Sequence, residues 1–227
     1  NEETKKRIRK ISQEMNYIPN PSARSLKGKN TNMIGLIIPD ISNPFFAELA
    51  LGVESFANEN GYCVFLCNTD WKYEREKTYV DVLNVKRVDG IIISSVTENA
   101  DHHITSQAPV VYVTEGPKHE GVHYVGIDNK LGASMIVEYL IKLGHKDIVY
   151  IGGSEKTSTN RERYEGYKQS MEKYKLPFDS EKHVFNSLNS FSRENGYKAA
   201  MEMLIKRNIP TAVFAVNDIV ALGVIQA

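Results

Sequence analysis

The sequence has little cysteine, no long apolar run and none of the short motifs that mark common catalytic sites. Its two cysteines, Cys63 and Cys67, lie in one apolar run, YCVFLC. As a strand, that run points both to one face, too far apart to bridge comfortably. A zinc site needs further Cys or His at ligand spacing, so the pair reads as reduced core thiols. No window approaches the roughly 18 consecutive apolar residues of a membrane-crossing helix. Residues 1–10 are charged and lack the apolar stretch of a secretory leader. There is no G-x-G-x-x-G, Walker loop, G-x-S-x-G or H-E-x-x-H. The six histidines (His102, His103, His119, His123, His145, His183) form no ligand-spaced set. Asp40, Asp70, Asp128 and Asp218 sit at expected strand ends, but no nucleophile, metal or cofactor motif accompanies them, which favours hydrogen-bonding roles. The expectation is a protein that is not an enzyme and carries no cofactor and no metal.

What is present is an ordinary globular composition: 227 residues, 41% hydrophobic and 25% charged. Net charge is zero but unevenly spread. Residues 1–29 hold eight basic side chains against Glu2, Glu3 and Glu14, while the remaining 198 residues hold 20 basic against 25 acidic. A basic element on an acidic body suggests an anionic partner, although a solvated basic helix has the same composition.

Helical spacing of Thr4, Ile8, Ile11 and Met15 predicts a helix over 2–15, with Glu2 and Glu3 in the first turn, where the helix dipole favours them. Tyr17-Ile18-Pro19 breaks it. Asn20-Pro21 then looks like an N-cap followed by proline at the first helical position. The helix it opens, about 21–26, ends at Gly28 and is marginal on its own. From Thr31 onward, apolar strands (33–38, 62–67, 88–94, 109–113, 123–127, 147–153, 182–186, 211–216) alternate with helices (44–60, 73–86, 130–143, 161–174, 192–207, and from 218). That order predicts parallel sheets, too many strands for one comfortable sheet, and a division near Gly144-His145. Ligands in such folds lie beyond the strand carboxyl ends: Pro39–Phe46, Asp128-Asn129, Gly152–Arg163 and Asn217-Asp218.

Several segments, in order and at consistent spacing, resemble the lactose-repressor/galactose-repressor family of transcriptional regulators: NYIPNPSARSLKGK, IGLIIPDISNPFFAEL, CNTD, RVDGIII, VGIDN, LGHKDIVYIGG, RERYEGY, FSRENGY and TAVFAVNDIVALG. The resemblance implies an α/β fold of two parallel-sheet, Rossmann-like subdomains of the type I periplasmic-binding-protein kind, preceded by a short all-α DNA-binding remnant and hinge helix. It divides the chain into the end of a helix-turn-helix headpiece plus hinge (1–29), an N-terminal effector subdomain (30–144) and a C-terminal one (145–227). It also implies a partial chain, lacking the start of the headpiece and the C-terminal part of the effector domain.

On the DNA side the resemblance marks Asn1, Tyr17, Ala23, Arg24, Ser25, Leu26 and Lys27. Paired hinge helices of a homodimer would enter the minor groove of operator DNA, with Leu26 as the wedge. An apolar wedge flanked by basic residues suits a groove that must be kinked and whose phosphates must be neutralised; a linker leucine packed on its own domain is the plainer reading. On the effector side it marks Phe45, Phe46, Asp128, Arg163, Phe191 and Asn217, facing a small molecule, a carbohydrate by family habit. Phe46 is expected in the cleft and Phe45 packed elsewhere; Arg163 offers a bidentate fork; Phe191 is a second aromatic wall; Asp218, rather than Asn217, is expected to cap the helix that follows. Arg161 reads as a surface charge. Leu49, Val53 and Phe56 on the 44–60 helix are candidates for the dimer interface. The expected setting is cytoplasmic. The alternatives are a periplasmic-type sugar-binding protein, against which residues 1–29 argue, and an α/β enzyme. The effector is open among a sugar, a sugar phosphate, a purine and a phosphocarrier protein.

Overall fold

A computed structural model describes residues 2–15, 30–95, 105–114, 116–117, 120–154, 157–186, 191–206 and 209–227. Helix α1 (Glu2–Glu14) forms where the sequence predicts it, with all but one of its residues exposed. Asn1 and the whole expected hinge, including Tyr17, Ala23, Arg24, Ser25, Leu26 and Lys27, lie outside the described residues.

The rest alternates as expected: β1 (Met33–Ile38), α2 (Pro44–Glu59), β2 (Cys63–Asn68), α3 (Tyr73–Lys86), β3 (Gly90–Ile93), β4 (Val110–Val113), β5 (His123–Val125), α4 (Asn129–Lys142), β6 (Ile148–Gly152), α5 (Ser158–Lys173), α6 (Ser180–His183), β7 (Val184–Asn186), α7 (Arg193–Ile205), β8 (Ala212–Ala215) and α8 (Asp218–Gln226). Among the described residues two sheets result, ordered β2-β1-β3-β4-β5 and β7-β6-β8. Each strand pairing is parallel.

Side-chain alternation along β1 builds the first core on both faces of its sheet. Ile37 packs with Val80, Leu83, Ile91 and Ile93 on the α3 side. Leu36 and Ile38 pack with Phe46 on the α2 side. The strand β2 runs along the sheet edge, which corrects the reading of its cysteines as core: Cys63 is exposed and only Cys67 is partly covered. Burial pushes the Cys67 thiol above its usual range.

The second core is one cluster centred on β6, where Ile148, Val149, Tyr150 and Ile151 are completely buried. It draws in Ala133 and Val137 of α4. The sequence puts the division at Gly144-His145; packing puts α4 with the second sheet, so the change of core falls between β5 and α4. The reason is local. Gly166 of α5 lies so close to α4 that a Cβ there would stand 2.3 Å from the Lys130 carbonyl, and Ser134 Oγ donates to the Gly166 carbonyl at 3.2 Å. Periodicity alone cannot assign a helix to one of two neighbouring sheets. Two further differences are small. The helix α5 begins three residues before the expected 161, because Thr157 accepts from the Asn160 amide and starts it there. The short α6 precedes β7, where a longer strand is expected.

Candidate functional site

The carboxyl ends of both sheets carry the expected residues. In the first lobe, the loop after β1 is tied down by its own polar side chains. Asp40 Oδ1 accepts from the Ser42 amide (2.9 Å) and hydroxyl (2.6 Å). Asn68 Oδ1 accepts from the Ile41 amide at 2.8 Å, joining this loop to the end of β2. Asn43 caps α2, accepting from the Phe45 amide, and Pro44 occupies the first turn, an arrangement suited to both residue types. The helix therefore starts at a fixed point and presents Phe45 and Phe46 at once.

Those two rings differ. This reverses the expectation that Phe46 faces the cleft and Phe45 packs elsewhere: Phe46 is 6% exposed and belongs to the core beside Leu36 and Ile38, while Phe45 is 54% exposed. They meet edge-on at 5.1 Å. From Phe46 the aromatic run continues to Trp71 at 6.1 Å and from there to Phe191 at 6.0 Å. Phe191 comes from the stretch before α7, so the run crosses from one lobe to the other. Gly153, after β6, makes room for it: a Cβ at Gly153 would stand 2.2 Å from the Phe191 ring.

Gly153 is itself held. Asn160, 2% exposed, takes the Gly153 amide on Oδ1 at 2.8 Å and the Tyr150 hydroxyl on the same oxygen at 2.8 Å. Burial pushes the Tyr150 phenol far above its usual range, so it remains a donor. One turn further along α5, half-buried Arg163 donates from Nε to Asn129 Oδ1 at 2.9 Å and from Nη1 to the Val216 carbonyl at 2.5 Å. Asn129 opens α4 and donates in turn to Glu162 Oε2 at 3.1 Å. The guanidinium thus sits where the segments leaving β5 and β8 converge, fixed by two acceptors.

Asp128 and Asn217 have helix-capping roles. Asp128 is exposed and accepts from the Leu131 amide at 2.8 Å. Asn217 accepts from the Val220 amide at 3.0 Å and is the N-cap of α8. This corrects the expectation that Asp218 caps it: Asn217 has the extended backbone of a cap, whereas Asp218 is already the first helical residue. Arg161 is exposed, as expected of a surface charge. Trp71 and Asn160 were not singled out from sequence, and Asn129 was marked only as a strand-end position beside Asp128. The chain's single tryptophan, directly after a strand-end aspartate, was the available signal for the first. The other two are asparagines at helix starts, which look like ordinary caps.

This arrangement of two parallel sheets, with polar and aromatic side chains at adjoining carboxyl ends, has counterparts. Residues 31–227 match the family described as periplasmic binding proteins and sugar binding domain of LacI family. The chain belongs to the LacI family. Within it, the chain is 37% identical to the HTH-type transcriptional regulator DegA of Bacillus subtilis, over all of this chain and 68% of that protein. It is 35% identical to the ribose operon repressor of Halalkalibacterium halodurans, over 99% of this chain and 66% of that protein. The crystal structure of a LacI transcriptional regulator from Alkaliphilus metalliredigens complexed with D-xylulofuranose superposes with a TM-score of 0.72 at 32% identity, covering 86% of this chain and 71% of that one. The LacI-family relatives are transcriptional regulators rather than enzymes, and among the described residues no helix is long and apolar enough to cross a membrane.

Proposed function

We propose that the protein is a homodimeric repressor whose hold on operator DNA is set by a small carbohydrate bound between its two lobes, and that it has no enzymatic activity of its own. The observation that carries this reading is Arg163. Its guanidinium is anchored between the segments leaving β5 and β8 by Asn129 and the Val216 carbonyl. A fork held in advance loses little freedom when it meets hydroxyls or a carboxylate. The exposed ring of Phe45 and the ring of Phe191 supply apolar walls, and Asn217 and Asp128 add polar groups at helix starts. The relative complexed with D-xylulofuranose supports a sugar as the class of effector.

Contacts from both lobes make one relative orientation of them the better binder. Such a ligand shifts DNA affinity only as far as its preference for that orientation, typically about 1–3 kcal/mol. On the DNA side, the basic segment through Arg24 and Lys27 with Leu26 between them is the candidate minor-groove element, and a dimer supplies it twice, as a two-fold operator requires. Phe56, 71% exposed on α2, is the side chain of that helix best placed to meet a second copy.

One pair of variants tests the reading. Arg163→Ala should lose effector binding and effector response while operator binding without effector survives. Leu26→Ala should do the reverse, weakening operator binding by about 1–3 kcal/mol with effector affinity intact. Calorimetry with D-ribose and D-xylulose, alongside operator titrations at matched salt, reads both. An Arg163→Ala protein with full sugar affinity overturns the site, and a Leu26→Ala protein with full operator affinity overturns the hinge.

A further inference from the structure

We propose that Trp71 is a third wall of the effector site, and that its placement selects a puckered sugar ring over a flat base. This rests on the reading of the cleft as the effector site.

Trp71 links the lobes. Its indole lies between Phe46 of the first lobe and Phe191 of the second, with centroids 6.1 and 6.0 Å away. It is neither buried nor free: Phe46 is closed into the core, while the indole keeps part of its surface open. The backbone that aims it is costly. Asp70 and Trp71 have φ of +55° and +57°, and the Lys72 amide donates to the Thr69 carbonyl at 3.1 Å. This is the pattern of a tight turn whose two central positions favour Asn, Asp or Gly. A bulky side chain there is unusual and persists only where its surroundings force it. Here they do. The Thr69 amide is bonded to the Ile38 carbonyl at 2.9 Å, and the Asp70 carboxylate is held by Lys72 at 2.7 Å and Arg75 at 3.6 Å. Backbone held against its preference to project an indole between two lobes indicates a side chain used for contact.

The geometry also indicates what it touches. The Trp71 and Phe191 planes are inclined at 53°, so they do not form the parallel slot a planar base fills. A sugar ring carries C–H bonds on its faces and hydroxyls on its rim. It can meet one aromatic wall with a face and the other with an edge, leaving its rim to Arg163 and Asn217. The 6.0 Å between the rings is also less than the roughly 7 Å that a ring between two faces needs. A ligand that uses both walls therefore parts them and changes the surroundings of the indole.

The test uses the intact protein, with D-ribose, D-xylulose and adenine as probes, read by calorimetry and by the tryptophan emission that Trp71→Phe removes. The expected result is heat from at least one sugar, lost in Arg163→Ala, with a shift in that emission. Trp71→Ala should bind the sugar about tenfold more weakly, and Trp71→Phe, which keeps an aromatic face, within about threefold of wild type. Sugar heat that needs Arg163 but is unchanged in Trp71→Ala, with the emission unmoved, overturns the third wall and leaves the site reading standing. Heat from adenine alone overturns the sugar class. Heat from none of the three overturns the sugar reading of the site and this inference with it.

Discussion

The lobe on the three-stranded sheet has one continuous buried core, whereas the core of the lobe on the five-stranded sheet is divided between two clusters. In the second lobe Tyr150 stacks on Tyr167 at 5.5 Å and tilts against Phe214 at 5.4 Å within a single core. In the first lobe the core is split by its sheet into two clusters. A hollow of about 580 Å³ lies between α2 and the sheet, lined by Ile34, Leu49, Val53, Phe56 and Ile92. The second lobe fixes Arg163 through buried partners. The first lobe fixes Trp71 through a strained turn and surface charge. One half of the proposed site is therefore held by packing and the other by local geometry.

Matched glycines sharpen that contrast. Alanine in place of a helical glycine gains up to about 1 kcal/mol of helix propensity, so the sign depends on space. At Gly166 the new Cβ would stand 2.3 Å from the Lys130 carbonyl and 2.8 Å from the Ala133 Cβ. A backbone oxygen cannot rotate away, and strain of about 1–3 kcal/mol or more outweighs the propensity. Gly166→Ala should lower the urea midpoint clearly. At Gly52 of α2 nothing lies within 4 Å of the new Cβ, and Gly52→Ala should raise stability by up to about 1 kcal/mol. Equal effects of the two alanines would mean the lobes are packed alike.

The next effect in size concerns how the second lobe holds the site. Tyr150→Phe removes the hydroxyl bonded to Asn160 Oδ1 at 2.8 Å. That oxygen still accepts from the Gly153 amide, so no buried acceptor is left empty, and the cost should be about 1 kcal/mol. Because Asn160 also ties down the residue over which Phe191 lies, effector affinity should fall with stability. A stability loss with unchanged effector affinity would show that Phe191 is placed by something other than this chain of bonds.

The strands and helices were legible because apolar runs of strand length alternate with helices whose caps and stops are explicit. The expected 44–60 helix, for example, forms over Pro44–Glu59. Three kinds of feature were not legible. Which sheet α4 joins depends on the close approach at Gly166, a fact of packing between segments far apart in sequence. Which of Asn217 and Asp218 caps α8 turns on one residue's backbone angle, since both are good capping residues. Trp71 meets Phe191 from a turn with two successive positive φ angles, which an Asp-Trp pair does not predict. Phe46, Arg163 and Phe191 are candidates by resemblance. Their neighbours Asn129 and Asn160 needed the structure, because a buried asparagine and a capping one have the same sequence.

The smallest effect separates charge from packing in the first lobe. The Lys72 ammonium, hydrogen-bonded to Asp70 at 2.7 Å, holds the Asp70 carboxyl below its ordinary range, with a lesser contribution from Arg75. A carboxyl that ionises more readily in the folded state stabilises it above the unfolded value of about 3.9, and that contribution disappears as pH falls through the lower folded value. The pair is exposed, so the effect is small and screened by salt. The difference in urea midpoint between the protein and Asp70→Asn should be constant from neutral pH to about pH 5, then shrink on further acidification. Raising salt should shrink it as well. A difference that grows on acidification would mean the folded carboxyl is harder to ionise, and the turn bearing Trp71 would then be held by backbone bonds alone. In the second lobe the loop after β6 is tied by Asn160, which does not titrate. Acid should therefore loosen the Trp71 turn while leaving the seat of Phe191 unchanged, and amide exchange at Lys72 and Gly153 across the same pH range compares the two directly.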